Sequence, residues 1–159
     1  MEILGNSINI GEAMGLSDGR VTNEQIYVSN ALGDLQYPRL NRSTWDWQIT
    51  HSNQIMSLRI VFPTRVILGG LRVITRRQHQ NPVQVTHADI AYIDQRGQER
   101  THYDQRSVGQ QLRLCDAFDA PFDVAFNVRI KTKTIIVYPV TSGIGRASLE
   151  LELLGNYHQ

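Results

Sequence analysis

The chain has 159 residues, and its 16 Lys and Arg balance 15 Asp and Glu to a formal net charge of +1. This length predicts one domain over residues 1–159, and a composition of 41% hydrophobic and 19% charged residues argues against disorder. The near-neutral charge gives no field that would attract nucleic acid. A single cysteine, Cys115, excludes an intrachain disulfide and a zinc cage built on several cysteines.

No apolar run approaches the roughly 18 residues that a membrane-spanning helix needs. Residues 1–11 have neither a basic start nor a long apolar stretch, so we expect no signal peptide in this chain. A trimmed secreted protein would have the same features. These observations therefore leave the compartment open.

Alternation of apolar and polar residues dominates the chain and predicts β-strands. The strand candidates, in chain order, are Ile55–Phe62, Arg65–Thr75, Val85–Asp94, Gln111–Leu114, Thr134–Tyr138 and the closing run 149–153. The only helix candidate is Asn23–Ser29. Many short strands with spaced turns predict an all-β sandwich or jelly roll.

Turn residues separate the predicted strands. Asp94-Gln95-Arg96-Gly97 predicts a hairpin turn in which Gly97 takes a positive φ. Strand ends are predicted at four prolines, because a missing N–H does little harm there: Pro63, Pro82, Pro121 and Pro139.

Two alternating patterns carry predictions about burial. Trp45 and Trp47 lie two residues apart, and we expect at least one of them to pack in the core. Glu150 and Glu152 alternate with leucines, which predicts the solvated outer face of a closing strand. The two glutamates are of the right type for a glycosidase pair, but this pattern favours the solvated face. Gly-x-Ser-x-Gly is absent, and nothing else indicates catalysis.

Several stretches together resemble the discoidin domain, also called the coagulation factor 5/8 type C domain. They are residues 13–21 with Glu24-Gln25-Ile26, Pro38-Arg39-Leu40-Asn41 with Trp45 and Trp47, residues 58–75, Ile135-Ile136-Val137-Tyr138-Pro139 and residues 147–155. Their order and spacing make the resemblance specific over roughly Glu12 to Asn156.

The resemblance implies a distorted jelly-roll β-sandwich or barrel of antiparallel strands, with its core at about residues 12–156. It also implies a non-catalytic, extracellular or cell-surface module that binds ligands through loops at one end of the barrel. Members of the family bind sugars, anionic phospholipids, collagen or other proteins, and the fold does not choose among them. The family usually joins its two ends by a disulfide, which this chain lacks: Asn156 follows Leu154-Gly155.

By position, the resemblance places ligand loops at residues 30–37 and 76–82. Their planar donors and acceptors suit vicinal sugar hydroxyls, and the ring of Tyr37 could stack on a pyranose. The candidate ligand-binding residues are Asp34, Tyr37, Arg76, Arg77, His79 and Asn81. Two alternatives remain open at this stage. In the first, the two loops are simply solvated. In the second, Arg76 and Arg77 bind a phosphate or sulfate group. Against the second, one arginine could be exposed and the other paired with a carboxylate such as Asp89.

A calcium ion is considered at Asp116, Asp119 and Asp123, although their spacing matches no EF-hand. The alternative is an acidic surface loop that Phe118 and Phe122 anchor. No other cofactor is expected, and Cys115 is expected to be a small buried hydrophobe.

The sequence therefore predicts a lectin-like module that recognises carbohydrate in cell adhesion. It would gain avidity as a homo-oligomer or as a module of a longer chain. A protein-interaction or matrix-adhesion module is the first alternative, and it predicts an apolar patch at Leu32 and Leu35. Peripheral binding to anionic phospholipid is the second.

Overall fold

A computed structural model describes residues 10–29, 37–51, 54–102, 111–141 and 143–157. In these ranges the strands are β1 (Glu12–Ala13), β2 (Ile26–Val28), β3 (Trp45–Ile49), β4 (Leu58–Thr75), β5 (Val85–Ile93), β6 (Glu99–His102), β7 (Leu112–Arg113), β8 (Phe122–Thr141) and β9 (Gly145–Asn156). A short 3₁₀ turn, Asn23–Gln25, stands where the sequence predicted a helix over Asn23–Ser29. No helix in the described ranges has the length and hydropathy to cross a membrane.

All the strands pair antiparallel. The main path runs β1-β9-β4-β8-β5-β6, and β2, β3 and β7 pair with β4, β9 and β5 respectively. Alternating Val, Ile, Leu and Tyr residues favour this arrangement because a strand with this pattern can bury its apolar face. The predicted all-β, discoidin-like sandwich is confirmed.

The two longest strands, β4 and β8, form the most extensive pairing of the sheet. β4 and β8 pair from Leu58–Val137 to Val73–Phe122, and the register shifts between Val61 and Val66. Pro63 lies in this irregular stretch rather than at a strand end, so that prediction is wrong. A bulge tolerates proline because the ladder is already interrupted there. Pro139 likewise lies inside β8.

Both tryptophans of β3 are core residues. Trp45 and Trp47 are each 0% exposed, and their ring centroids lie 4.4 Å apart. Trp45 Nε1 donates to the Ser29 carbonyl at 3.2 Å. Trp47 Nε1 is buried with no hydrogen-bond partner in the part of the chain that the structure describes. The prediction that at least one tryptophan packs in the core is confirmed.

The closing strand β9 differs from the prediction. Glu150 and Glu152 are only 5% and 1% exposed, so neither belongs to a solvated face. The N-terminal segment and the turn after Leu40 cover that face: Leu16 N and Ser17 N donate to the Glu152 carboxylate, and Asn41 N donates to the Glu150 carboxylate. Both faces of β9 are therefore buried, and each glutamate must be hydrogen-bonded inside the protein.

Two smaller predictions are confirmed. Asp94 to Gly97 form the hairpin turn between β5 and β6, with Gly97 at φ 81° and its N–H donating to the Asp94 carbonyl at 3.0 Å. Cys115 is a buried free cysteine.

Candidate functional site

An open cleft of about 970 Å³ lies beside β9, where the N-terminal segment, the chain before β3 and the end of β4 meet. We call it the polar cleft. Its lining is Gly19, Thr22, Asn23, Glu24, Tyr37, Arg39, Asn41, Arg42, Ser43, Thr44, Arg76 and Glu150. Most of these side chains carry hydrogen-bonding groups.

An arginine–carboxylate pair forms one wall of the polar cleft. Arg76 Nε donates to Glu150 Oε2 at 2.8 Å, and Arg76 Nη2 donates to Glu150 Oε1 at 3.3 Å. The pair is two-pronged, which fixes the guanidinium plane. The hydrogen bond to Glu150 raises the pKa of Arg76, and Asp119 adds a weaker contact at 3.7 Å from Nη1.

A tight turn before β3 supplies the neighbouring polar groups. Arg42 N and Ser43 N both donate to the Arg39 carbonyl, and Asn41 takes the left-handed region at φ 62°. Asparagine tolerates that region better than most residues do. Asn41 N donates to Glu150 Oε1 at 2.8 Å. The buried glutamate therefore fixes the turn as well as Arg76.

Beneath the polar cleft, a second buried group holds the N-terminal segment. Arg39 Nη1 donates to the Leu16 carbonyl at 2.9 Å and Nη2 donates to Asn23 Oδ1 at 2.7 Å. Burial is the main cause that lowers the pKa of Arg39. Glu152 accepts hydrogen bonds from Leu16 N and from both the N–H and the hydroxyl of Ser17. It does not line the cleft, so Glu150 and Glu152 do not face one substrate.

The structure brings two of the predicted ligand residues together. Tyr37 and Arg76 both line the polar cleft. His79 and Asn81 are exposed but do not line it, and Asn81 at φ 43° uses its carbonyl to accept from Arg146 N. Asp34 lies outside the described residues, as do Leu32 and Leu35.

Arg77 points to a different neighbourhood from Arg76. Its guanidinium lies 4.5 Å from the centroid of the Phe118 ring, which is a cation–π contact. Its backbone N–H donates to Asp119 Oδ1 at 3.3 Å. The two guanidinium groups are therefore not placed to bind one phosphate or sulfate together. The carboxylate partner of Arg76 is Glu150 rather than Asp89.

The three aspartates considered for calcium each contact an arginine side chain. Asp123 accepts from Arg72 at 2.8 and 3.0 Å, Asp119 contacts Arg76, and Asp116 pairs with Arg113. Within the described ranges, no group of three or more His, Cys, Asp or Glu side chains is arranged to hold a metal ion. This geometry fits the alternative of an acidic surface loop.

A second depression, of about 520 Å³, is lined largely by apolar groups and is called here the apolar depression. Its lining is Trp47, Ile49, Gln54, Ile55, Met56, Asp89, Gln111, Tyr138, Pro139, Val140 and Thr141. Ile55 is 75% exposed. Burial and a hydrogen bond to Glu99 raise the pKa of Tyr138 to about 12, so its hydroxyl stays protonated at neutral pH.

Sequence reasoning missed two central residues of the polar cleft. Asn41 is part of the Pro38–Asn41 stretch and of an Asn41-Arg42-Ser43 glycosylation sequon, neither of which indicates a ligand contact, although asparagine is a common turn residue. Glu150 was predicted to lie on the solvated face of the closing strand. The alternation on β9 does not reveal that other parts of the chain cover this face. Its turn partner Asn41 lies 109 residues away along the chain.

No protein-family model matches the chain, and no curated protein matches it. Solved structures do share its fold. An F5/8 type C domain from Bacteroides fragilis superposes with a TM-score of 0.63 at 15% identity, over 84% of this chain and 91% of that one. A family 32 carbohydrate-binding module of Clostridium perfringens NanJ, solved with galactose, gives 0.59 at 15% identity, over 80% and 90%.

Wild-type discoidin II from Dictyostelium discoideum gives a TM-score of 0.60 at 13% identity. The match covers 84% of this chain and 55% of discoidin II. Together with the antiparallel topology, these likenesses identify the chain as a discoidin-like domain by its fold.

Proposed function

We propose that the protein is a non-catalytic carbohydrate-binding module and that the polar cleft is its binding site. The observation that carries the proposal is the fixed Arg76–Glu150–Asn41 constellation in the wall of an open, polar cleft. Its groups are held by one another before any ligand arrives. A rigid site loses less conformational entropy on binding, which favours affinity.

The chemistry of the cleft suits a neutral polar ligand. Arg76 is neutralised by Glu150, so this pair offers directional hydrogen bonds rather than net charge. Asn41, Ser43 and Thr44 add amide and hydroxyl groups. Tyr37, half-buried against the core, offers part of a ring for an apolar sugar face.

The fold comparison supports the same class of ligand. The Clostridium perfringens module with this fold was solved with galactose, so the fold is compatible with sugar recognition. Fold alone does not assign a ligand, and the proposal therefore rests on the cleft.

The carboxylates of the cleft support a binding role rather than catalysis. Glu150 is engaged by Arg76 and Asn41 N, and Glu152 is sealed under the N-terminal segment. Glu24 is the other carboxylate in the lining. A glycosidase needs one carboxylic acid and one carboxylate facing the same bond. The engaged Glu150 is unsuited to either role.

A shallow open cleft predicts weak binding by one copy. Adhesion at an extracellular or cell surface would then require several copies, as a homo-oligomer or in a longer chain. A turnover assay on the sugars that bind would detect a catalytic role and overturn the non-catalytic part of the proposal.

The test is calorimetric titration of a panel of neutral sugars, including galactose, against the wild type and an Asn41→Gly variant. Glycine keeps the left-handed turn and removes only the amide side chain. Loss of one or two hydrogen bonds predicts binding weaker by about 5- to 10-fold.

His79→Ala is the matched control because His79 is exposed and outside the polar cleft. It should bind as the wild type does. Equal losses in both variants, or no loss in Asn41→Gly, would place the site elsewhere. Absence of binding across the panel would reject the carbohydrate proposal.

A protein-interaction role is the second candidate, and the apolar depression favours it. Ile55 lines this depression and exposes a large aliphatic side chain to water. Exposed apolar side chains of this kind commonly form contacts at protein interfaces. An Ile55→Ser variant that loses a pulled-down partner while keeping sugar binding would support this second role.

A further inference from the structure

Two adjoining depressions lie near the β5–β6 hairpin, away from the polar cleft. Their volumes are about 380 and 350 Å³, and they share Arg65, Asp94, Gln95 and Lys131. Lys133 lines the first, and Arg96 and Arg100 line the second. We call the positive side chains of both depressions the basic surface: Arg65, Arg96, Arg100, Lys131 and Lys133.

The basic surface concentrates the positive charge of the chain. Five cations surround one carboxylate, Asp94, which gives a formal +4. The whole chain carries only +1, so all other charged residues together carry −3. Positive charge is therefore segregated to this part of the molecule, where it creates a local field despite the near-neutral total.

Asp94 is engaged in the hairpin. Its Oδ1 accepts from Arg96 N and Gln98 N at 2.9 Å each, and its Oδ2 accepts from Arg100 Nε at 2.8 Å. The nearest carboxylate along β6, Glu99, accepts from the Tyr138 hydroxyl and lines neither depression. Lys131 and Lys133 have no ion-pair partner in the described part of the chain.

Local structure fixes the two lysines side by side. On β8 the threonines Thr132 and Thr134 are buried while the lysines are exposed. The Thr132 hydroxyl donates to the Ile93 carbonyl at 2.8 Å, which ties β8 to the end of β5. Alternation on a strand then places the two lysine Cα atoms on one face about 7 Å apart.

The side chain of Gln95 holds the Arg65 guanidinium in place. With the amide of Gln95 oriented to accept, its oxygen receives hydrogen bonds from Arg65 Nη1 and Nη2 at 2.6 and 3.0 Å. A neutral amide orients the guanidinium without cancelling its charge. The basic surface is thus an ordered set of five cations, of which Arg100 is paired with Asp94, while Arg65, Lys131 and Lys133 have no carboxylate partner among the described residues.

We propose that the basic surface is a second binding site, which takes a linear sulfated polysaccharide. Sulfate groups repeated along a chain match several fixed cations, and two adjoining depressions suit a flexible chain. This site is independent of the polar cleft. From Arg65 to its end at Thr75, β4 extends over roughly 30 Å, and Arg76 follows it directly.

Other polyanions fit the basic surface less well. Peripheral membrane binding usually inserts bulky apolar residues, whereas the only aliphatic side chain in either lining is the half-buried Ile93. Single-stranded nucleic acid needs exposed rings for base stacking, and the ring here, Tyr92, packs against the core.

The test compares dextran sulfate with unsulfated dextran, two polymers that differ only in their charged groups. The wild type should bind dextran sulfate with a steep salt dependence. Lys131→Gln/Lys133→Gln should weaken this binding about 10- to 30-fold, since each cation near an anionic surface contributes about five-fold. Sugar binding at the polar cleft should not change.

The matched control is Arg77→Gln/Arg113→Gln, which also removes two positive charges from exposed side chains. These arginines lie over Phe118 and Phe122, outside the basic surface. Their variant should bind dextran sulfate within about two-fold of the wild type. Thermal unfolding and circular dichroism should be measured to check that both variants are folded.

Three results would overturn the proposal. The first is no binding of dextran sulfate at low salt. The second is an equal loss in both double variants, which would mean a response to net charge alone. The third is tighter binding to vesicles that contain phosphatidylserine, or to oligonucleotides, than to dextran sulfate, which would assign the basic surface to that partner instead.

Discussion

The polar cleft and the basic surface both contain arginine, but they differ in how much of their positive charge carboxylates balance. In the cleft, Arg76 is paired with the buried Glu150 and lies close to Asp119. On the basic surface, Lys131 and Lys133 have no such partner among the described residues, and Arg65 is oriented by the neutral Gln95. The lining of the cleft has three arginines and two glutamates, a formal +1, whereas the linings of the two depressions together carry +4.

This difference explains how one small domain could serve two kinds of ligand. Neutralised, rigid groups discriminate by the geometry of hydroxyls, since leaving a buried polar group unpaired is costly. Uncompensated cations attract any suitably spaced anions and depend on ionic strength. The two regions should therefore respond differently to mutation, salt and pH.

The largest expected effect is on stability. Arg76→Met leaves the buried Glu150 without its cation and should lower the free energy of unfolding by about 2 kcal/mol, less than a fully buried pair because Arg76 remains 32% exposed. Lys133→Met on the basic surface should stay within about 0.5 kcal/mol. Urea denaturation of both variants measures the contrast, and equal losses would contradict it.

Salt should separate the two sites next. Raising the salt concentration from about 0.05 M to 0.5 M should weaken dextran sulfate binding by ten-fold or more, because released counterions drive that interaction. Binding of a neutral sugar at the polar cleft should change by less than about two-fold. Titrations in the two buffers measure both, and an equally steep salt dependence for the two ligands would contradict the contrast between the sites.

The Asp94→Asn variant should have a smaller effect, on dextran sulfate binding. Removing the only carboxylate that lines the two depressions should tighten dextran sulfate binding at neutral pH by a few-fold, about five-fold at most.

The hydrogen bond from Arg100 is the main cause that lowers the pKa of Asp94 below its usual 3.8. The ionised carboxylate therefore stabilises the fold above that pH, and its contribution is lost as the pH falls through the lower, folded-state pKa.

Thermal unfolding from neutral pH down to about pH 2 checks the second half of this prediction. The melting temperature of Asp94→Asn should lie below that of the wild type at neutral pH, and the gap should close in acid. A gap that widens as the pH falls would contradict the sign of the pKa shift.

The smallest expected effect is that of His79→Ala, which should leave sugar binding, dextran sulfate binding and stability nearly unchanged. His79 is exposed and lines neither the polar cleft nor the basic surface. Loss of either ligand in this variant would extend that site into the loop between β4 and β5.

Local patterns predicted much of the fold. Alternation identified β5, most of β4 and the middle of β9. The Asp94–Gly97 turn was predicted from its turn residues, and at least one tryptophan of β3 was expected in the core. These features depend on residues within a few positions of each other. They are determined by strand periodicity and turn chemistry, which a sequence displays directly.

The covered face of β9 and the basic surface could not be predicted in this way. Glu152 is buried because Leu16 and Ser17 lie over it, more than 130 residues earlier in the chain. Arg65, Arg96 and Lys131 converge only because β4 and β8 are irregular near Pro63 and the β5–β6 hairpin folds beside them. Tertiary packing, rather than periodicity, decides both.

The most direct measurement is amide chemical-shift mapping of the wild type by NMR, titrated first with the tightest neutral sugar and then with short dextran sulfate. The account predicts two separate sets of perturbed amides: Asn41, Ser43 and Arg76 for the sugar, and residues 93–98 and 131–134 for the sulfated chain. A single overlapping set would contradict the claim that this domain recognises neutral and anionic ligands at two different sites.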